Sequence, residues 1–181
     1  MGSAVGRYSD RMIDPPLAPE EQVATAGERA VWEAFLDCQR RELAEKIAEV
    51  SDQDARRRLV PSLTTLGGLL KHLSVVERSW FQRRLAQREP VEIAGWVDGG
   101  DPSWTLDPDD TVESLLAEYA EACAESRRVA ARFALDDTAP HARLGRVSLR
   151  WIYAHMIEET ARHAGHADIL REQLDTARPT V

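Results

Sequence analysis

Four of the five histidines fall in two segments: His72 stands in one, and His155, His163 and His166 share the other with Glu158 and Glu159. If the second segment is a helix turning about 100° per residue, with His155 at zero, Glu159 lies at about 40°, His163 at about 80° and His166 at about 20°. These side chains then project from one strip, with Glu158 about 60° off its other side. Glu159 and His163 stand at i, i+4, a spacing at which two side chains can grip one metal ion. A third ligand must come from elsewhere, and His72 is the only histidine in the other long helical segments. Two imidazoles and a carboxylate, with no cysteine, suit Zn²⁺, Ni²⁺ or Fe²⁺, and three protein ligands leave positions open for water or substrate. The same spacing also fits a solvated helix face, and a histidine beside an apolar stripe is commonly a hydrogen-bonded core residue. A strip of three histidines and a glutamate is nonetheless too polar to bury unpaired. His155 and His166 could act as outer partners that orient the ligands.

The elements that must position these groups read as four long helices. The first runs from about Glu20 or Thr25 to Val50, with Val31, Phe35, Cys38, Leu43 and Ile47 near helical spacing. Ser51 to Asp54 reads as a turn leading into a short helical piece. The second helix, about Thr64 to Gln87, carries a stripe of Leu66, Leu69, Leu73, Val76 and Trp80. Gly67 and Gly68 weaken it by about 1 kcal/mol each relative to alanine and would let another helix approach closely. Residues 88–110 form a connection rich in glycine and proline, with Trp96 and Trp104. It is long for a compact domain, which marks it as functional or mobile. Asp110 to Glu113 fits a capping box for a third helix reaching Phe133, with Leu115, Leu116, Tyr119, Cys123 and Val129 inward. After a loop over 134–147, Ser148 caps a fourth helix to about Asp175. Strand-like patterning nowhere exceeds a few residues. The expectation is an all-α protein, a four-helix bundle, with residues 1–20 as an extended N-terminal arm and 21–177 as one bundle domain.

The chain has 181 residues, 31 acids against 23 bases and a net charge of −8. That balance argues against nucleic acid as a partner and against a charge-held membrane association. No run of about 18 apolar residues marks a membrane span, and the N-terminus lacks the apolar segment of a secretory signal. Cys38 and Cys123, without any CxxC pattern, read as reduced, buried fillers. These features together suggest a cytoplasmic protein whose partner is a small-molecule substrate. The several apolar stripes are compatible with a homodimer.

Two segments resemble a known family. Thr64-Thr65-Leu66-Gly67-Gly68-Leu69-Leu70-Lys71-His72 through Trp80-Phe81 is similar to the first metal-binding helix of the DinB-like superfamily, and Ser148-Leu149-Arg150-Trp151 through His163-Ala164-Gly165-His166-Ala167-Asp168 to its last helix. The nearest branch is the DUF664, or mini-circle protein, group, and the resemblance extends over about residues 20–175. It implies a four-helix bundle with a divalent metal, Zn or Ni before Fe, on three residues. Carried over position by position, these are His72, Glu159 and His163. Glu159 departs from the usual HxxxH pair and is similar to the set found in mycothiol-dependent maleylpyruvate isomerases. His155, one turn earlier, is not expected to be a ligand. The resemblance further implies a low-molecular-weight thiol, such as mycothiol, as cosubstrate in S-transfer or isomerisation.

Within such a mechanism a metal-activated thiolate or water is the expected nucleophile. The 88–110 loop could cover the pocket, or its tryptophans could simply pin it. Arg150 and Arg162 could hold anionic groups or form surface ion pairs, and Tyr153 could donate a proton or pack. Two other classes remain beside the transferase: a non-haem iron oxygenase, whose triad has the same ligand types, and a non-catalytic metal- or small-molecule-binding stress-response bundle.

Overall fold

A computed structural model of the chain describes residues 16–177. The first 15 residues of the expected arm lie outside the described residues. The arm's end carries a single helical turn, α1 (Pro19–Gln22), with proline at its first position. Five further α-helices follow: α2 (Glu28–Ala48), α3 (Asp52–Ala55), α4 (Leu66–Glu77), α5 (Val112–Ala130) and α6 (Leu149–Thr176). The described chain is thus mostly helical. It also contains a small antiparallel hairpin, β1 (Thr138–His141) and β2 (Gly145–Ser148), with Ala139 opposite Val147. The hairpin falls in the segment expected to be loop. Its strands have four residues each, and only Ala139 and Val147 turn inward. That is too short for alternation to be read from sequence.

The long helices associate chiefly as two pairs, α2 along α6 and α4 along α5, and α4 meets α6 over a shorter stretch. Leucines of α4 (Leu66, Leu69, Leu70 and Leu73) pack with Leu43, Ile47, Leu115, Tyr119 and Leu170 in one apolar cluster. A second cluster gathers Leu36, Phe81, Val129, Ile152, Tyr153 and Met156. On α2 the buried face is Leu36, Cys38, Arg40, Leu43 and Ile47, whereas Phe35 is 44% exposed. Cys38, Leu43 and Ile47 of the expected stripe are thus buried, while Leu36 turns inward instead of Phe35 and an arginine takes a core position. Arg40 forks onto Glu77, Nε to Oε1 at 2.8 Å and Nη2 to Oε2 at 2.6 Å, and gives Nη1 to Asp37. Both members of the Arg40–Glu77 pair are buried. Losing one partner of such a pair typically costs about 3–5 kcal/mol, since the other is left charged without compensation.

The second helix does not stay α-helical to its end. Beyond Glu77, Arg78–Leu85 widens into π-helical turns, and Ala86 N–H bonds to Phe81 O at 3.0 Å. Such widening is a local insertion in the helix ladder, often found near functional sites. The helix caps also resolve. Ser148 Oγ accepts from Trp151 N–H, as expected. At α5 the cap is Thr111, with Ser114 answering it, one residue later than the expected Asp110 and Glu113 box. Asp110 instead serves Lys71, its Oδ2 3.1 Å from Nζ.

Gly67 and Gly68 admit the 88–110 connection, and Gly67 also brings other helices close, with Ala55 O of α3 at 3.2 Å and Leu115 Cδ1 of α5 at 3.3 Å from where a Cβ would lie. A Cβ on Gly67 would lie 2.7 Å from Leu106 Cδ1, and one on Gly68 2.9 Å from the Trp104 carbonyl oxygen. The connection itself contains two short 3₁₀ turns, Pro90–Glu92 and Asp101–Trp104.

These contacts set a test. Gly68→Ala gains about 1 kcal/mol of helix propensity but meets backbone, and overpacking costs about 1–3 kcal/mol. The expected outcome is a net loss of stability in urea melts. Gly165→Ala, on α6 with nothing within 4 Å of the new Cβ, should gain about 1 kcal/mol.

Candidate metal centre

His72 projects from the middle of α4, two turns after the Thr65 cap. Glu159 and His163 project from α6 one turn apart, on the side facing α4. The three side chains expected as a set meet in the seam between these helices. Glu159 Oε1 lies 3.2 Å from His163 Nε2 and 3.5 Å from His72 Nε2, and one ligand atom from each residue falls within 4.8 Å of the others. His163 is buried, and His72 and Glu159 are half-buried. Hydrogen bonds from His163 and then His72 hold the Glu159 carboxyl well below the usual carboxylate range, against the opposing effect of burial.

Each inward-facing atom is backed by an outer contact. His72 Nδ1 is 3.0 Å from Ser103 Oγ, and that hydroxyl donates to Gly100 O at 2.7 Å. Ser103 Oγ thus occupies the Nδ1 side of His72, and Nε2 is the atom left facing Glu159. Ser103 is fully buried. His163 Nδ1 is 3.3 Å from His166 Nδ1. Arg162 Nη1 reaches Glu159 Oε2 at 3.3 Å, which keeps Oε1 as the oxygen turned to the imidazoles. His166 thus stands where an orienting partner was expected.

His155 does not. Its ring stacks on Trp151 at 5.2 Å and tilts against Trp80 at 4.5 Å, in a ring cluster completed by His141. Burial first of all pushes its pKa below the ordinary imidazole value. The two loop tryptophans also separate. Trp104 lies flat on His72, centroids 3.9 Å apart and planes at 14°, while Trp96 is 52% exposed and donates to the carbonyl of Asp98. Arg150 pairs with Glu28 and Asp136, and Arg162 with Glu158 and Glu159, so both are engaged by carboxylates of the chain itself. Tyr153 packs at 3% exposure and donates to Glu33 Oε1 at 2.9 Å, on the opposite face of α6. Cys38 and Cys123 are free and buried, and burial pushes the Cys38 thiol up to about 11.

Ser103, Trp104 and His166 complete the centre. Sequence spacing could not reveal the first two, because they lie more than 30 residues from His72 in a segment without periodicity. Two grooves flank the cluster. One, about 290 Å³, is lined by Ser62, Thr64, His166 and Ile169. The other, about 350 Å³, is lined by Arg58, Thr65, Trp104 and Leu106. Among the described residues, no helix is long and apolar enough to cross a membrane.

A model of the family described as mycothiol-S-transferase matches residues 31–176, from the first turn of α2 to the end of α6. No curated protein and no solved structure matches the chain.

Trp104 covers the outer face of His72. In metal-free Trp104→Ala, carbethoxylation of His72 by diethylpyrocarbonate should therefore accelerate several-fold, followed by peptide mass spectrometry. An unchanged rate would show that the indole does not shield the imidazole.

Proposed function

We propose that the chain, which belongs to the DinB-like mycothiol-S-transferase family, joins the sulfur of mycothiol to an electrophilic carbon, the C–S bond forming as the bond to a leaving group breaks, at a divalent metal held by His72, Glu159 and His163. One observation carries the reading: two imidazole Nε2 atoms from different helices converge on a single carboxylate oxygen at 3.2 and 3.5 Å. Donor atoms about 2.0–2.2 Å from one tetrahedral ion stand about 3.3–3.6 Å apart; the two separations at Glu159 match that spacing, and all three donor atoms lie within 4.8 Å of one another. The donor types suit Zn or Ni, and Fe(II) after them. The four long helices would then form the four-helix bundle characteristic of the DinB-like fold.

A bound ion supplies positive charge that favours the thiolate over the thiol near neutral pH. The chain's own residues set the rest. His72 and His163 present Nε2 because Ser103 and His166 engage their Nδ1 atoms. Glu159 contributes the one negative charge among the three ligands, so the site keeps net positive charge for an anionic sulfur. Trp104 excludes water from the outer face of His72. Ser62 and Thr64, beside His166, offer hydroxyls to the polar body of the thiol.

Metal analysis by mass spectrometry tests this directly. Wild-type protein, after reconstitution, should hold about one equivalent of Zn or Ni. His163→Ala should lose it, and the mycothiol transfer rate should fall about 10³-fold, several kcal/mol of lost charge stabilisation. Ser103→Ala should retain the site with affinity weakened about 10–100-fold. No metal in reconstituted wild type would overturn the proposal.

A further inference from the structure

The seam between α4 and α6 continues past the metal centre into a cluster of rings. Trp151, His155 and Glu159 follow one another at i, i+4 on α6, so the rings begin about 6 Å along the helix from the Glu159 carboxylate. Trp80, from the π-helical segment, meets His155 at 4.5 Å and Trp151 at 5.5 Å, and His141 of the hairpin stacks on it at 5.7 Å and 13°. These rings are not closed into the core. Trp151 is 38% exposed, and Trp80, His141 and His155 are half-buried.

Arg84 lies over Trp80, Cζ 4.7 Å from the ring. Other half-buried or buried arginines here have carboxylates: Arg40 has Glu77, Arg78 has Glu118, Arg88 has Glu125 and Arg171 has Asp175. Among the described residues the Arg84 guanidinium has neither a carboxylate nor a carbonyl partner, and its Nε is shielded from solvent without any hydrogen bond. A shielded donor left unpaired costs about 1–3 kcal/mol. In a chain with 31 acids and 23 bases, carboxylates to pair it are not scarce. Arg84 also lines an open cleft of about 500 Å³ with Ser79, Arg83, Glu89 and Asp98, and Glu89 is taken by Arg83.

We propose that this ring-lined end of the seam is the site of the second substrate, a flat conjugated electrophile lying against Trp80 and Trp151 with a carboxylate on the edge of Arg84. The inference rests on the transferase reading and adds the substrate class to it. With Nε shielded, the edge left to a ligand is the pair of Nη groups, and that edge matches a carboxylate with two parallel hydrogen bonds. The rings accept a planar π system without demanding a particular substitution pattern. Arg84 is then a specificity-determining residue.

Binding can be read without metal or thiol. The full-length chain is titrated by tryptophan fluorescence with 3,5-dinitrobenzoate and with neutral 1,3-dinitrobenzene. Arg84→Gln should weaken dinitrobenzoate about tenfold and leave dinitrobenzene unchanged, Arg84→Lys should recover part of the loss, and Trp151→Leu should weaken both probes. Equal dinitrobenzoate affinity in wild type and Arg84→Gln, or no saturable binding by wild type, overturns the inference. A second arm measures transfer from mycothiol to 4-chloro-3,5-dinitrobenzoate and to 1-chloro-2,4-dinitrobenzene. There the sulfur bonds to the ring carbon, chloride leaves with the electron pair, and the thiol proton passes to buffer. Wild type should favour the anionic chloride, and Arg84→Gln should lose that preference through KM. Arg84-dependent binding with no transfer to either chloride would support the subsite and sink the transferase reading instead.

Discussion

Glu159 Oε1 faces two imidazole nitrogens that arrive from different helices, and much of the surrounding structure follows from keeping that meeting in place. A half-buried carboxylate is tolerable only with partners. Its other oxygen has Arg162, and the imidazoles are held from behind by Ser103 and His166. Each group is therefore fixed from two sides, and neither helix can slide along the other without breaking several polar contacts at once. The seam must also stay wide enough for the three side chains. The closest helix contacts lie within the pairs α2 with α6 and α4 with α5, while one apolar cluster joins all four helices.

A second polar anchor spans the core from α2 to α4. Arg40 and Glu77 are buried together, and Asp37 links Arg40 to the Arg127 fork on α5. Fully satisfied, this network fixes the rotation of α2 about its axis, since Arg40 reaches Glu77 in only one orientation. It stands at the junction where α4 gives way to the π-helical turns. Upstream of Glu77 the helix presents leucines and His72. Downstream, Arg78, Phe81, Gln82 and Leu85 turn inward and Trp80 turns toward α6. One helix thus delivers His72 to the meeting with Glu159 and His163 and a ring to the adjoining cluster.

The helical segments and the polar strip were legible because both depend on local spacing. The i, i+4 relation of Glu159 to His163 and the Ser148 cap are properties of one helix. The face of α2 was legible at Cys38, Leu43 and Ile47 but not at Arg40, a buried position that a hydrophobic count assigns to the surface and that only the distant Glu77 makes tolerable. Ser103 was invisible as a site residue, and Trp104 was visible only as one of two tryptophans in a loop that could cover the pocket, for a related reason. Their role depends on Gly67 and Gly68 allowing the 101–106 segment onto α4, a contact between segments that share no period. His155 had the right spacing for the site, but Trp80 and Trp151 claim its ring.

The 88–110 connection is long, and length alone suggests a lid. The contacts argue otherwise over its second half. Lys71 reaches Asp107 and Asp110, Arg56 donates to the carbonyls of Asp107, Pro108 and Asp110, and Ser103 bonds to His72. Lifting Trp104 from His72 would require breaking these together, and the hydroxyl that orients the imidazole would leave with it. A segment that opened in this way would disorganise the ligand it uncovers. The physical consequence is that Trp104 acts as a fixed wall, and under the proposed reading reactants would reach the His72, Glu159 and His163 cluster along the seam itself, past His166 at one end or past the rings of Trp80 and Trp151 at the other.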